Sequence, residues 1–436
     1  MNRREFVISS SLASGALFAP FSIFGKEQKL NVGIVGTGWW GTDLLMPALL
    51  KSGHFEIIGL CDVDSAHLDN AAKKLSETSS FKAKLFKDYR DLYEMKGLDA
   101  VVIATPPHWH ALQLIDASKK GLHVFLEKPV FYDISEGQAM QQEVEQSGIL
   151  VQVDFERLRM NSYQEVTDYI SQGKAGKIFQ VEAQINFHLK GIDTVEKEIP
   201  ETLDFDAWCG PAPVGPYLCP KDSDSTTINW RAMEMYGRGH LYDWGIHHIH
   251  SIRNILKLDL PDSVTAFGGN TRYVNCDTPD YLNVRFDFGD LPVIWNHKIW
   301  GTVPYTPEVQ NGIFLYGEKA TIFVSDEGWI VTPAGKDQEK EKHGFESAVG
   351  NDVIAIISDH MTEFANAVKT DSPENLLTGL KDSCLTTECV NLADIAYRTG
   401  ESIAFDPDAL KITSPSAANS YLKRDYRKPY NHPFKS

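Results

Sequence analysis

Apolar residues follow two different rhythms along this chain, and the change falls near residue 150. From residue 30 onward, short apolar runs at 30–35, 56–61, 100–104 and 123–126 alternate with stretches of helical spacing at 44–51, 65–76, 109–120 and 134–147. Alternation of this kind predicts a parallel sheet with crossover helices, an α/β Rossmann domain (a doubly wound sheet) over 30–150. Such sheets bind ligands at the carboxyl ends of their strands.

Beyond residue 151 the texture differs. A helix at 163–172 ends at Gly173, a strand follows at 177–187, and a loop of Pro, Gly and Asp fills 199–226. A His-rich helix covers 239–256. Strands rich in aromatic and β-branched residues follow at 263–273, 281–288, 293–300, 312–316 and 320–324, and helices at 354–370 and 379–399 close the body. This pattern predicts a C-terminal α+β domain over 151–410, built on a large, mostly antiparallel open sheet with one helical face. One face of such a sheet must be covered, which a homo-oligomer would do. The polar tail 411–436 is expected to wrap the surface.

Residues 1–29 read as an address and linker. Asn2-Arg3-Arg4-Glu5-Phe6-Val7 sets paired arginines before an apolar run ending at Ala19, which resembles a twin-arginine export signal. The run is too short and too broken by Ser and Gly to span a bilayer. A periplasmic or otherwise exported protein is expected, with no transmembrane span in the mature chain; an ordinary secretory signal or an uncleaved anchor is the competing reading.

At 436 residues the chain exceeds one ordinary core, and 42% hydrophobic with 23% charged residues excludes wholesale disorder. The formal net charge of −17 disfavours nucleic acid and anionic membrane surfaces as partners. An anionic cofactor must therefore be held by local backbone dipoles. Six cysteines occur without a CxxC pair. Cys209 and Cys219 flank a Pro-rich loop, but folding in a reducing cytoplasm argues against a bridge.

Gly36-Thr37-Gly38-Trp39-Trp40-Gly41 follows the first apolar strand and opens a helix. In that position Gly36 permits the tight turn, Gly38 lets a pyrophosphate approach the backbone, and Gly41 allows close helix–strand packing. The helix amino terminus supplies free N–H groups. Asp62, about twenty residues further on, is placed to accept from the adenosine ribose hydroxyls. No Arg follows it closely, so NAD is expected rather than NADP. Asp64 is expected to cap the helix at Ser65.

Three further segments complete a pattern. They are Ala104-Thr105-Pro106-Pro107-His108-Trp109-His110, Glu127-Lys128-Pro129 after the next strand, and Asp243-Trp244-Gly245-Ile246-His247. With the glycine loop these resemble the Gfo/Idh/MocA family, the glucose–fructose oxidoreductase and inositol dehydrogenase relatives, from about Leu30 to Phe405. Trp208-Cys209-Gly210-Pro211-Ala212-Pro213 and Asn229-Trp230-Arg231 look like an exported subgroup.

The resemblance implies that Thr105, Pro106 and His110 join Thr37, Trp39 and Trp40 at the cofactor, with Glu127 on the nicotinamide ribose. It implies Lys128, Asp243 and His247 as the catalytic set, with Lys128 stabilising an alkoxide, His247 as general base and Asp243 orienting either. Pro129 would fix the turn, through a cis bond. Arg157, Tyr163, Trp230, Arg231, Arg238 and His250 are expected to line the sugar site. The family's usual DxxxHxxD departs here to His250. His240, Asp243, His247 and His250 recur on one helical face, and no metal is expected there, although imidazole and carboxylate could hold Zn or Mn.

The expected function is an NAD(P)-dependent oxidoreductase interconverting a hydroxyl and a ketone on a sugar, polyol or glycoside. A glycoside hydrolase or lyase using tightly bound NAD for transient oxidation is the alternative. A non-catalytic sugar-binding protein is the third.

Overall fold

The computed structural model describes residues 29–79, 81–186, 192–221, 225, 227–273, 276–301, 310–335, 339–345 and 352–435. Of the export signal and linker read in 1–29, residues 1–28 lie outside them.

The all-apolar runs at the start of the chain become buried parallel strands. β1 (Leu30–Val35), β2 (Phe55–Cys61), β3 (Lys84–Phe86), β4 (Ala100–Ile103), β5 (His123–Leu126) and β6 (Val151–Val153) form one sheet in the order β3-β2-β1-β4-β5-β6. Every pair in it is parallel. The chain order reverses between β1 and β4, so the loops leaving these strands part and open a crevice at the carboxyl edge. β3 and β6 escaped the sequence reading because three residues carry no period. Asp64, Asp88 and Asp133 cap the helices that return from this edge, each accepting a backbone N–H.

The second domain carries an eight-stranded sheet. Its strands are β7 (Ile178–Asn186), β10 (Ser263–Gly269), β11 (Tyr281–Phe288), β12 (Leu291–Lys298), β13 (Asn311–Gly317), β14 (Ala320–Ser325), β15 (Gly328–Pro333) and β16 (Glu341–His343). A separate hairpin is made by β8 (Thr194–Glu196) and β9 (Leu218–Pro220). The order in the large sheet is β10-β11-β12-β7-β13-β14-β15-β16, antiparallel except for the parallel β12–β7 pair. Alternation holds: Val181, Ala183 and Ile185 of β7 are fully buried, while Gln180, Glu182 and Gln184 between them stay partly exposed. Helices Asn161–Ser171, Ile246–Leu256 and Leu380–Thr399 join the buried core on the inner face.

One helix of the stretch 151–410 leaves the large sheet. Helix Val353–Thr370 packs on the first domain. Its stripe Ile357, Met361, Phe364 and Ala365 meets Val32, Ile34 and Phe55, and the Phe364 ring stacks on Phe55 with centroids 6.4 Å apart. The tail also does more than coat the surface. Arg424 reaches the fully buried Glu136 at 2.8 Å, and His432 stands 3.1 Å from Asp133. All six cysteines are buried and free. Among the described residues no helix is long and apolar enough to cross a membrane.

Candidate active site

The glycine loop is shaped by what its side chains would strike. Gly36 has φ +93°, and a Cβ there would lie 2.7 Å from the Ala104 carbonyl atoms. A Cβ on Gly41 would sit 2.1 Å from Gly36 O, so the helix can begin this close to the strand only with glycine. Gly38 is different: a Cβ would meet nothing within 4 Å. The space it leaves opens into the cleft and fits a pyrophosphate laid on backbone N–H groups.

Asp62 closes the next loop over this cradle. Its Oδ2 accepts from Thr37 N at 2.6 Å and Thr37 Oγ1 at 3.1 Å, and its Oδ1 accepts from Asp64 N at 2.9 Å. Burial pushes this carboxyl up, and the donors work against that. Asp64 caps helix Ser65–Thr78 through Ala66 N at 2.9 Å, as the sequence predicts. Arg90 also reaches the cleft, but it pairs with Asp88 at 3.2 Å and lies 4.5 Å over the Tyr89 ring. The neighbourhood of Asp62 thus fits free ribose hydroxyls better than a 2′-phosphate.

The cleft has a volume of 680 Å³ and is walled by both domains. Gly36, Gly38, Trp39, Trp40, Gly41, Asp62, Thr105 and Pro106 line it from the first domain. Thr202, Leu203, Ala207 and Trp208 face them from the loop predicted at 199–226, and Ile228 from just beyond it. That loop is fastened down: Ser65 N donates to Thr202 O at 2.9 Å, Asp204 N to Val63 O at 3.1 Å, and Trp109 Nε1 to Trp208 O at 2.9 Å. The tail crosses over it. Arg427 donates to Asp206 O at 2.8 Å and Gly210 O at 3.1 Å, Arg427 N donates to Pro211 O at 2.9 Å, and Tyr430 packs edge-on against Trp109 while lining the cleft.

At its far end the cleft reaches Trp230 and Arg231, and there the charges converge. Asp243 Oδ1 lies 3.3 Å from Arg231 Nε and 3.2 Å from Lys128 Nζ, which also donates to Asp243 O at 2.6 Å. Asp243 sits in a widened π turn, Leu241–Gly245, that leads into helix Ile246–Leu256. Such turns recur at functional sites because they free a main-chain carbonyl. Burial opposes ionisation of Asp243, but Lys128 and then Arg231 overrule it and hold the carboxyl at about 2. His247 stands one turn on; burial first, then the Lys128 and Arg157 cations, push its imidazole well below the ordinary value, so it is neutral and able to accept a proton. The Lys128–Pro129 peptide is cis.

Beneath Lys128 lie three buried acids, Glu127, Asp154 and Glu156. Glu127 and Asp154 are in hydrogen-bond contact, and burial first, then the neighbouring Asp154 charge, drive the Glu127 carboxyl well up. Trp40 Nε1 donates to Glu127 Oε1. Burial likewise brings Glu156 up to about 7. The sequence reading missed Asp154 and Glu156, and only the adjacency of Glu156 to Arg157 hinted at them.

Several expected site residues are elsewhere. His110 does not line the cleft: it is fully buried, with its two ring nitrogens 2.7 Å from Pro129 O and Thr105 O, so it ties the two loops together. Arg238 is a core residue whose guanidinium is spent on Tyr132 O, Asn391 and Asp394. Tyr163 and Arg157 are buried and converge on Asp326, at 3.0 and 2.9 Å, with Arg157 also 3.2 Å from His248. His250 stacks on Phe155 at 3.8 Å and meets Thr386 at 3.0 Å, away from the cleft. The helical face therefore does not converge: His240 packs against His297, Asp243 turns to Lys128, and His250 goes to the core. Among the described residues the one cluster with metal-ligand spacing is Asp133, Glu136 and His432. Arg424 already fills it with positive charge.

A doubly wound sheet with a glycine cradle and a carboxylate after its second strand, roofed by an α+β domain that brings Asp243 to a lysine, defines a two-domain dinucleotide-dependent oxidoreductase. A family model described as oxidoreductase family, NAD-binding Rossmann fold, matches residues 30–155. Models of the GFO/IDH/MocA C-terminal domain and of the family's C-terminal alpha/beta domain match 216–323 and 296–432. The chain belongs to the Gfo/Idh/MocA oxidoreductase family, and NAD is its cofactor.

Among curated relatives, 2,7-anhydro-N-acetylneuraminate hydratase of Escherichia coli is 24% identical over 67% of this chain and 67% of its own. A glycosyl hydrolase family 109 protein of Stenotrophomonas maltophilia is 31% identical over 29% of each chain. Inositol 2-dehydrogenase of Salmonella typhimurium is 26% identical over 40% of this chain and 50% of its own. An Agrobacterium radiobacter oxidoreductase solved with NAD+, L-tartaric acid and magnesium superposes with TM-score 0.67 at 17% identity, covering 88% of this chain and 99% of that one. Levoglucosan dehydrogenase, solved with NADH and levoglucosan, superposes at 0.66 with 16% identity over 86% of this chain and 99% of its own. At these identities the structures show the shared fold.

Proposed function

We propose that the protein interconverts a hydroxyl and a ketone on a sugar, polyol or glycoside. NAD seated on the glycine cradle would supply the hydride acceptor or donor. The substrate's C–OH would enter at the far end of the cleft, where Arg231 meets Asp243 and, through it, Lys128. There the His247 imidazole takes the hydroxyl proton while the Lys128 ammonium donates to the same oxygen and stabilises its developing charge. Asp243 stays ionised throughout the working range and fixes the position of Lys128. The observation that carries this reading is the shared carboxylate: one Asp243 oxygen within 3.3 Å of both Lys128 and Arg231 at the end of a dinucleotide cleft. The test is a screen of hexoses, inositols and glycosides against the purified protein, followed at the nicotinamide absorbance. Turnover that survives Lys128→Ala would refute the reading, and a protein that binds sugars without turning any over would favour the non-catalytic alternative.

One observation supports a second reading. The second domain and the tail fasten over the cleft, which suits a dinucleotide retained through many turnovers. A retained NAD that is reduced and then reoxidised within one cycle would give glycoside cleavage without net redox. The names of the first two relatives above point the same way. Free sugar released from a glycoside with the bound NAD unchanged would select this reading; stoichiometric reduction of added NAD would reject it.

We further infer that residues 1–29 direct export, on the strength of the paired arginines. Recovery of the full-length mass in the cytoplasmic fraction alone would contradict this. Self-association through the outer face of the large sheet is supported by Phe267, 68% exposed there, and by the partly exposed Phe314 and Tyr316. A monomeric mass by sedimentation would remove it.

A further inference from the structure

Nδ1 of His247 is buried and has no hydrogen-bond partner among the described residues. Glu156 Oε2 faces it at 3.8 Å, and the edge of the Phe155 ring packs beside the imidazole at 6.1 Å. Both Glu156 and His247 are 8% exposed, so bulk water does little to settle where the imidazole hydrogen sits. A neutral imidazole carries one N–H, and only the bare nitrogen can act as a base. The acceptor that faces one nitrogen therefore decides which nitrogen reacts.

The groups around this pair disfavour an imidazolium. Lys128, Arg157, His248 and His250 all act against a positive His247. Glu127 faces Glu156 as a like charge, while Arg157 and Lys128 face it as opposite charges. Arg157 is also tied to Asp326 at 2.9 Å, and Lys128 to Asp243 at 3.2 Å. Glu156 is the acid that stands directly opposite the open nitrogen of His247.

We propose that Glu156 is a positioning residue for proton transfer at His247: its carboxylate draws the imidazole hydrogen onto Nδ1, leaves Nε2 as the base, and compensates the imidazolium formed in the reaction. The inference rests on the reading of His247 as general base. The proton balance is simple. The substrate O–H proton would move to His247 Nε2, the Nδ1 hydrogen would stay where it was, now between two opposite charges, and bound NAD would supply the acceptor for the C–H hydrogen with its electron pair. Glu156 itself neither gains nor loses a proton.

The test is nitrogen-15 NMR of the full chain labelled in histidine, with the His247 signals identified by their loss in His247→Gln. The wild type is expected to carry the Nδ1–H tautomer in excess, on the order of tenfold over Nε2–H. Glu156→Gln can still accept the N–H and should keep that tautomer. Glu156→Leu, of similar size but without an acceptor, should lose the excess. A wild type protonated on Nε2, or a Glu156→Leu protein with an unchanged tautomer, would overturn the proposal. The base reading fails separately: if His247→Gln turns over the sugar found in the screen at the wild-type rate, His247 is not the base, whatever its tautomer.

Discussion

Lys128 Nζ donates to the main-chain oxygen of Asp243 at 2.6 Å, although the two residues stand 115 positions apart in the chain. One belongs to the turn after a Rossmann strand and the other to the π turn of the second domain. The contact places the ammonium by holding it from across the domain interface, so chemistry at Lys128 depends on the docking of both halves. Lys128→Met is expected to lower hydride transfer by about 10²–10⁴-fold, because both a charge and its orientation are lost. Bound nucleotide should remain. Single-turnover absorbance and intact-mass measurement check the two halves of this expectation.

Gly38 and Gly41 separate nucleotide binding from folding. A side chain at 38 meets no protein atom, so Gly38→Val should fold with nearly unchanged thermal stability yet lose bound NAD. A side chain at 41 collides with Gly36 O, so Gly41→Val should lose both. Melting curves and nucleotide content of the two purified variants test this; equal nucleotide content in Gly38→Val and wild type would contradict the cradle.

Arg427 holds the cover loop by donating to two carbonyls, Asp206 O and Gly210 O. Arg427→Ala should raise the rate of nucleotide loss by about tenfold while leaving the fold intact, since loop closure rather than core packing is affected. Dilution followed by native mass spectrometry would read it. An unchanged loss rate would mean the tail does not restrain the cover.

Arg424 neutralises Glu136, which is fully buried and pushed up by burial. Arg424→Ala leaves that carboxyl without its cation and should cost about 3–5 kcal/mol of stability. The sign with pH follows from the protons bound. In the variant Glu136 is expected to keep its proton in the fold at pH values where the unfolded chain has lost it. Stability then falls as pH rises from about 4. The deficit should be smallest in acid and largest near neutrality, as chemical denaturation at several pH values would show.

Asp243, held at about 2, supplies no limb to the pH–rate profile in the working range, whereas Glu156, brought up by burial to about 7, does. Its charged form is the one that supports His247. Turnover is therefore expected to rise with pH through the region near 7 and then level off. A profile that falls through that region would require a different proton acceptor.

The elements nearest their own signals were legible. The glycine loop, the Asp64 cap and the cis Lys128–Pro129 turn are governed by residues a few positions apart, and each is found where local chemistry puts it. The helix at 353–370 was legible as a helix but not as a partner of the first sheet. Its stripe of Ile357, Met361, Phe364 and Ala365 would suit any apolar face. Tyr163, Arg238 and His250 misled because a polar side chain at helical spacing looks alike whether it faces a sugar or a buried Asp326, Asp394 or Thr386.

What the sequence determined by itself is the framework of the first domain: where β1, β2, β4 and β5 lie, which glycines keep the turn and the cleft clear, which acid follows the second strand, and which lysine follows the sheet. These depend on period, turn geometry and missing side chains, all encoded within short windows. Only the tertiary structure decided that the stretch from Thr202 to Trp208 and the tail roof the cleft, that Asp243 grips Lys128, and that Glu156 faces His247. Such relations arise when segments far apart in the chain compete for the same buried hydrogen bonds and charges, and no window of sequence contains both competitors.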